Sequence, residues 1–259
     1  MSGATKMSGE AKDELLQAVA EAAREGEKEA RRRDIEKGLR TIDAILAASD
    51  AEFASRQFLL ARVLEFGVRR NPWKNMAPWT RHQNASAFGL MQIPSEFADF
   101  LFHLARLDIR TAVEIGVMSG ASSYMICAVL QRANPGVEYL MVDIQDNIIG
   151  YDVFAKRLNL RKTVPATSHG VIGQEFDFVF IDADHSYMGA KTDWLNVGRH
   201  ARKAVAFHDI HAHEYDDRNG GVVRAWNEIK TALVGDHVVL EFAHSPARWM
   251  GIGLAIRQG

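Results

Sequence analysis

The chain has 259 residues, a formal net charge of −2 and one cysteine, and 47% of its residues are hydrophobic. That length can bury a full core without staples, and the lone Cys127 excludes an internal disulfide or a multi-cysteine zinc site, so it reads as a small core residue in a reducing compartment. Near-neutral charge gives no reason to expect nucleic acid or an anionic membrane as a partner, and with neither an 18-residue apolar run nor a basic-then-apolar leader the expected location is cytoplasmic.

Residues 1–9, MSGATKMSG, are small and polar and are expected to be disordered. From residue 10 to about 48, Ala, Glu, Arg, Lys and Leu dominate, with Leu15, Leu16, Val19 and Ala22 at helical spacing, which predicts a helical arm. Its charge run, EAAREGEKEARRR, reads as a solvated face. Ser49 and Asp50 are cap candidates for one further helix, AEFASRQFLLARVLEF, closed by Gly67. The stretch NPWKNMAPWTRHQNASAFG has no clear period, and its Trp73 and Trp79 either line a substrate entrance or anchor the arm on the core. An amphipathic helix starts at Pro94 or Ser95.

From Arg110 onward, strands and helices alternate. TAVEIGV, EYLMVDI, FDFVFIDA and KAVAFHDI read as strands; SGASSYMICAVLQR, DNIIGYDVFAKRLN, YMGAKTDWLNVGRHA and GVVRAWNEIKTAL read as helices. Such alternation implies βαβ crossovers and a mostly parallel sheet covered on both faces. Two terminal apolar runs, HVVLEFA and RWMGIGLAI, predict an antiparallel hairpin.

The chemistry gathers at strand ends. VEIGVMSGASS breaks a strand at Gly116, turns through Gly120 and opens a helix whose free N–H groups and close backbone suit a ligand. Asp143 ends the next strand, where a carboxylate accepts from both hydroxyls of a ribose. The spacing is G-x-x-x-G rather than G-x-G-x-x-G, and Glu114 beside it would repel a pyrophosphate but suit an ammonium group. S-adenosylmethionine, with an amino-acid end and no phosphate, meets those conditions. Glu114, Gly116, Ser119, Gly120 and Ser122 are expected around its methionine part, with Asp143 on the ribose and Asp146, Ser168 and His169 as loose candidates for the adenine side.

These motifs, with FDFVFIDADHSY and FHDI followed by GGVVRAWNEIK, resemble the class I S-adenosylmethionine-dependent methyltransferases. The resemblance is to the metal-dependent O-methyltransferases of the catechol and caffeoyl-coenzyme A type and to relatives that methylate sugars and other hydroxylated natural products, and it covers about 93–259. It implies an α/β fold: a Rossmann-like, doubly wound, mostly parallel seven-stranded sheet with a C-terminal antiparallel hairpin; the N-terminal helical arm that precedes it is read from its own composition and lies outside the resemblance. The expected division is a tail (1–9), a helical extension for assembly or for covering the substrate (10–92) and a methyltransferase domain (93–259). A homo-oligomer, dimer or higher, is also expected.

The resemblance further implies a divalent cation, Mg2+ or Mn2+, on Asp182 and Asp209, which end successive strands. Relatives carry Asn after the second aspartate; this chain has Ile210, which cannot coordinate, so the site is either completed by Asp184, His208 or His211, with His208 the assigned third ligand, or is weak or absent. For His208, His211 and His213, a hydrogen-bonded or surface role stays open. His185 stands where relatives carry a catalytic lysine and is expected to be the general base, with Asp182 beside it in catalysis and against the cofactor. The expected reaction is O-methylation of a small hydroxylated molecule. Two alternatives are a metallohydrolase using the Asp/His cluster and a nicotinamide-dependent oxidoreductase on a similar sheet.

Overall fold

The structure, a computed structural model, describes residues 9–69, 88–212, 217–244 and 250–258. Helix α1 (Gly9–Leu46) is the predicted arm, and its charge run does face solvent, with Lys28 paired to Glu25 and Arg32 bridging Glu29 and Glu36. Toward its end Ile42 and Ile45 are fully buried. The single helix expected over 51–66 is two, α2 (Asp50–Phe53) and α3 (Arg56–Phe66), because Ser49 forms a capping box with Glu52 and Ser55 then caps a new start by accepting from the Phe58 N–H. Trp73 and Trp79 lie outside the described residues. Helix α4 (Pro94–Leu104) begins with proline in its first turn, as predicted.

The remaining elements are β1 (Thr111–Ile115), α5 (Ala121–Ala133), β2 (Glu138–Val142), α6 (Tyr151–Phe154), β3 (Leu160–Thr163), β4 (Phe178–Ile181), α7 (Tyr187–Asn196), β5 (Ala204–His211), α8 (Gly221–Ala232), β6 (His237–Phe242) and β7 (Met250–Arg257). They build a seven-stranded sheet in the order β3-β2-β1-β4-β5-β7-β6, parallel through β5, with β7 antiparallel between β5 and β6. The expected fold class is therefore observed. Two local expectations change: the helix over 146–159 shrinks to α6, started by left-handed Gly150, and a short strand, β3, follows it.

Continuous apolar strands follow from burial on both faces. Ala112, Tyr139, Met141, Phe178 and Phe180 face α1, α3, α4 and α5, while Val113, Val142, Val179, Ile181 and Phe207 face α7 and α8. The N-terminal helices thus share a core with the sheet through Ile42, Leu59, Val63 and Phe66. Strand order reverses between β1 and β4, and a crevice opens beyond the carboxyl ends at such a switch point.

Candidate active site

That crevice is a cavity of about 810 Å³. Its floor is the turn after β1. Gly116, with φ 87°, is glycine because a Cβ there would lie 2.2 Å from the Asp182 carbonyl oxygen, so the freedom reserved at this position serves the neighbouring strand as well as the cavity. Gly120, with φ 84°, is the left-handed N-cap of α5. Asp143 fastens the turn: Oδ2 accepts from the N–H groups of Val117 at 2.9 Å and Met118 at 2.7 Å, and Oδ1 accepts from Gln145 at 2.9 Å. Gly116, Ser119, Ser122, Asp143, Ser168 and His169 all line the cavity.

Glu114 lies under this floor. Fully buried on the α5 side of β1, it accepts from Ser122 Oγ at 2.6 Å, Ser123 Oγ at 2.5 Å and Tyr139 Oη at 2.7 Å, and it reaches the cavity only through Ser122. Burial pushes its pKa up to about 7 against the pull of the three hydroxyls, with the Asp182 charge adding to the rise. Between the ordinary value of 4.5 and about 7, the folded chain then holds a proton that the unfolded chain has released, so stability falls as pH rises through that window, by roughly 3 kcal/mol. Glu114→Gln, which stays neutral, is expected to lose that part of the slope. Urea unfolding at pH 5 and pH 8 checks it, and equal slopes in both proteins would refute it.

The far wall carries the acidic and imidazole cluster. Asp182 follows β4, and Asp209 sits in β5 where the register with β7 shifts between His208 and His211. Asp209 has φ 58°, a bulge-like distortion of the kind that re-aims side chains next to active sites. It brings Asp209 Oδ2 to 3.0 Å from His185 Nε2 and 3.4 Å from His208 Nδ1, while Asp182 Oδ1 lies 3.1 Å from His208 Nδ1 and 4.0 Å from His185 Nε2. Burial opposes charge on His208, but the two carboxylates outweigh it and raise its pKa well above the usual histidine range.

Ligand atoms of Asp182, His185 and Asp209 all lie within 4.8 Å of one another, and two carboxylates with imidazole fit Mg2+ or, with nitrogen included, Mn2+. The other candidates do not join this group, although Asp184 also lines the cavity. Asp184 uses both oxygens on Ser186, Asp146 pairs with Lys162 outside the cavity lining, and Ile210 is buried in the core. His211 is not among the lining residues, and His213 lies outside the described ones. Sequence reasoning missed Gln92, 2% exposed, whose Nε2 donates to Asp182 Oδ2 at 2.9 Å; nothing in its neighbourhood in sequence signals a contact 90 residues away.

Residues 113–210 match a family model described as a methyltransferase domain. The chain carries a methyltransferase domain. The match runs from β1 into β5 and includes the glycine turn, Asp143, Asp182 and Asp209, and with the sheet order it bears out the expected class I S-adenosylmethionine-dependent methyltransferase. Among solved structures, the O-methyltransferase TomG of Streptomyces achromogenes, involved in tomaymycin synthesis and bound to SAM, is 19% identical over 66% of this chain and 82% of its own, with a TM-score of 0.47. An O-methyltransferase of Bacillus cereus in complex with SAH is 17% identical over 84% and 95%, TM-score 0.48. The N-methyltransferase NodS of Bradyrhizobium japonicum is 13% identical over 62% and 96%, TM-score 0.44. At these levels none of the three bears on what this methyltransferase acts upon. No curated protein matches the chain.

Proposed function

We propose that the chain is an S-adenosylmethionine-dependent O-methyltransferase, assisted by Mg2+ or Mn2+, that methylates a hydroxyl of a small molecule such as a sugar or a polyhydroxylated or phenolic natural product. The observation that carries this reading is the meeting, in one cavity, of the glycine turn with Asp143 and the cluster of Asp182, His185, His208 and Asp209. No observation favours the hydrolase or oxidoreductase alternatives. The reading keeps a cytoplasmic homo-oligomer, with residues 10–92 as the assembly or substrate-covering extension; among the described residues no helix is long and apolar enough to cross a membrane.

In this reading Ser119, Ser122 and the turn around Gly116 and Gly120 hold the methionine part, Asp143 accepts from the ribose, and Ser168 and His169 border the adenine. Glu114 acts from below, fixing the Ser122 hydroxyl. S-adenosylmethionine supplies a methyl group on a sulfonium, so an O–CH3 bond forms, an S–CH3 bond breaks, and the hydroxyl proton must pass to a base. Asp182 and Asp209 would hold the cation with His208 as third ligand, the cation taking the place of the proton that the two carboxylates favour on His208, and it would lower the pKa of a bound hydroxyl and orient it. A nitrogen that binds a cation cannot also take a proton. With the carboxylates committed to the cation, His185, the more exposed of the two imidazoles, receives the proton.

Methyl transfer from radiolabelled S-adenosylmethionine to a panel of vicinal diols, with Mn2+ or with chelator, tests the reading. Transfer should require the cation. His185→Ala should keep Mn2+ affinity and lose about 100-fold or more in turnover, whereas His208→Ala should lose Mn2+ affinity. Loss of Mn2+ binding in His185→Ala would instead make His185 the ligand.

A further inference from the structure

Resting on the metal-assisted reading above, we infer that Gln92 is a positioning residue for the Asp182 carboxylate, and that through it the segment ahead of α4 sets the affinity of the site for a divalent cation. The Gln92 amide makes two bonds: Nε2 donates to Asp182 Oδ2 at 2.9 Å, and Oε1 accepts from the Met91 N–H at 3.2 Å. Together they fix which way the amide is turned, since a flip would set oxygen against carboxylate and NH2 against N–H. At 2% exposure there is little solvent to replace the donor if it is lost.

The bond divides the labour of the carboxylate. Oδ2 is taken by Gln92, which leaves Oδ1 facing His208 Nδ1 at 3.1 Å and His185 Nε2 at 4.0 Å. A carboxylate without that partner turns about its Cβ–Cγ bond and offers the cluster either oxygen. Holding it in one orientation is what residues behind a metal ligand do, and their loss typically costs about 10–100-fold in metal affinity.

Gln92 is itself held from both sides. Before it, Leu90 bridges Val68, with Arg69 N–H donating to the Leu90 carbonyl at 2.8 Å and Leu90 N–H to the Gly67 carbonyl at 2.9 Å. The approach there is so close that a Cβ on Gly89 would lie 2.7 Å from the Gly67 carbonyl oxygen. After it, α4 buries Phe97, Phe100 and Leu101 in the core. The amide therefore stands on a rigid support that belongs to the N-terminal part of the chain and reaches a residue at the end of β4.

Gln92→Met preserves length and packing and removes the donor. Mn2+ titrated calorimetrically into the metal-free full chain is expected to bind this variant about 10–100-fold more weakly than wild type, while S-adenosylhomocysteine affinity is unchanged. Gln92→Asn, which draws the same amide back by one methylene, should shift Mn2+ affinity in the same direction and covers the case in which Gln92→Met does not fold. Equal Mn2+ affinities in variant and wild type overturn the inference, as does a parallel loss of Mn2+ and S-adenosylhomocysteine binding, which marks a general structural role. A wild-type chain that binds S-adenosylhomocysteine but no Mn2+ defeats the metal-assisted reading and this inference with it.

Discussion

Gly116→Ala is expected to lower the unfolding free energy by about 3 kcal/mol or more and to disable the site in whatever fraction stays folded. Two costs add. The backbone there has φ 87°, a left-handed value that costs a residue with a Cβ about 1–2 kcal/mol. The new methyl would also meet backbone, 2.2 Å from the Asp182 carbonyl oxygen and 2.5 Å from the Ala183 Cα, and backbone cannot rotate aside as a side chain does. Relief requires β4 to leave β1, which strains the bond from the Asp182 N–H to the Ile115 carbonyl at 2.9 Å and moves the aspartate on which the cluster depends. Gly120→Ala is the internal comparison. Its φ of 84° is similar, but its contacts are the ends of Ile148, Met141 and Tyr124 side chains at 3.1 Å, so its loss should be clearly smaller. Urea denaturation of both variants decides it, and equal losses would mean that the close approach of β4 is not what constrains Gly116.

The second large effect is expected at Asp209. Asp209→Asn should weaken Mn2+ binding by at least about 100-fold and leave S-adenosylhomocysteine binding intact. Asparagine is the informative replacement, because it tolerates the positive φ that alanine does not and nearly matches the aspartate in shape, so charge and coordination are what change. The remaining carboxylate, Asp182, then faces both His185 and His208 alone. Calorimetric titration of Mn2+ into variant and wild type reads the outcome. Undiminished Mn2+ affinity would remove Asp209 from the ligand set.

Much of the sheet was legible because strands buried on both faces show as apolar runs, as in FVFI of β4. Strand β3, LRKT, was not legible. It is an edge strand paired only to β2, with Leu160 alone buried, so it has neither an apolar run nor an alternation to read. The helix drawn over 146–159 failed for a related reason: its apolar residues suit a helical face, yet Gly150 is left-handed and restricts the helix to Tyr151–Phe154, where Phe154 stacks on Tyr124 at 3.9 Å. In the site, Asp143, Asp182 and Asp209 could be found because parallel strands aim their last residues at the crevice. The placement of His185 and His208 around the two carboxylates depends on a bulge in β5, and the contact from Gln92 depends on the packing of α4, neither of which leaves a mark in spacing.

Calorimetric titration of S-adenosylhomocysteine into the full chain, in wild type and in Asp143→Ala, is the most direct test of the cofactor site. One molecule per chain is expected to bind wild type. Asp143→Ala should abolish binding, since it removes the proposed ribose acceptor and releases the N–H groups of Val117, Met118 and Gln145 together. A folded wild-type chain that gives no binding heat at any temperature tried, or an Asp143→Ala variant that binds as well as wild type, would contradict the proposed cofactor site.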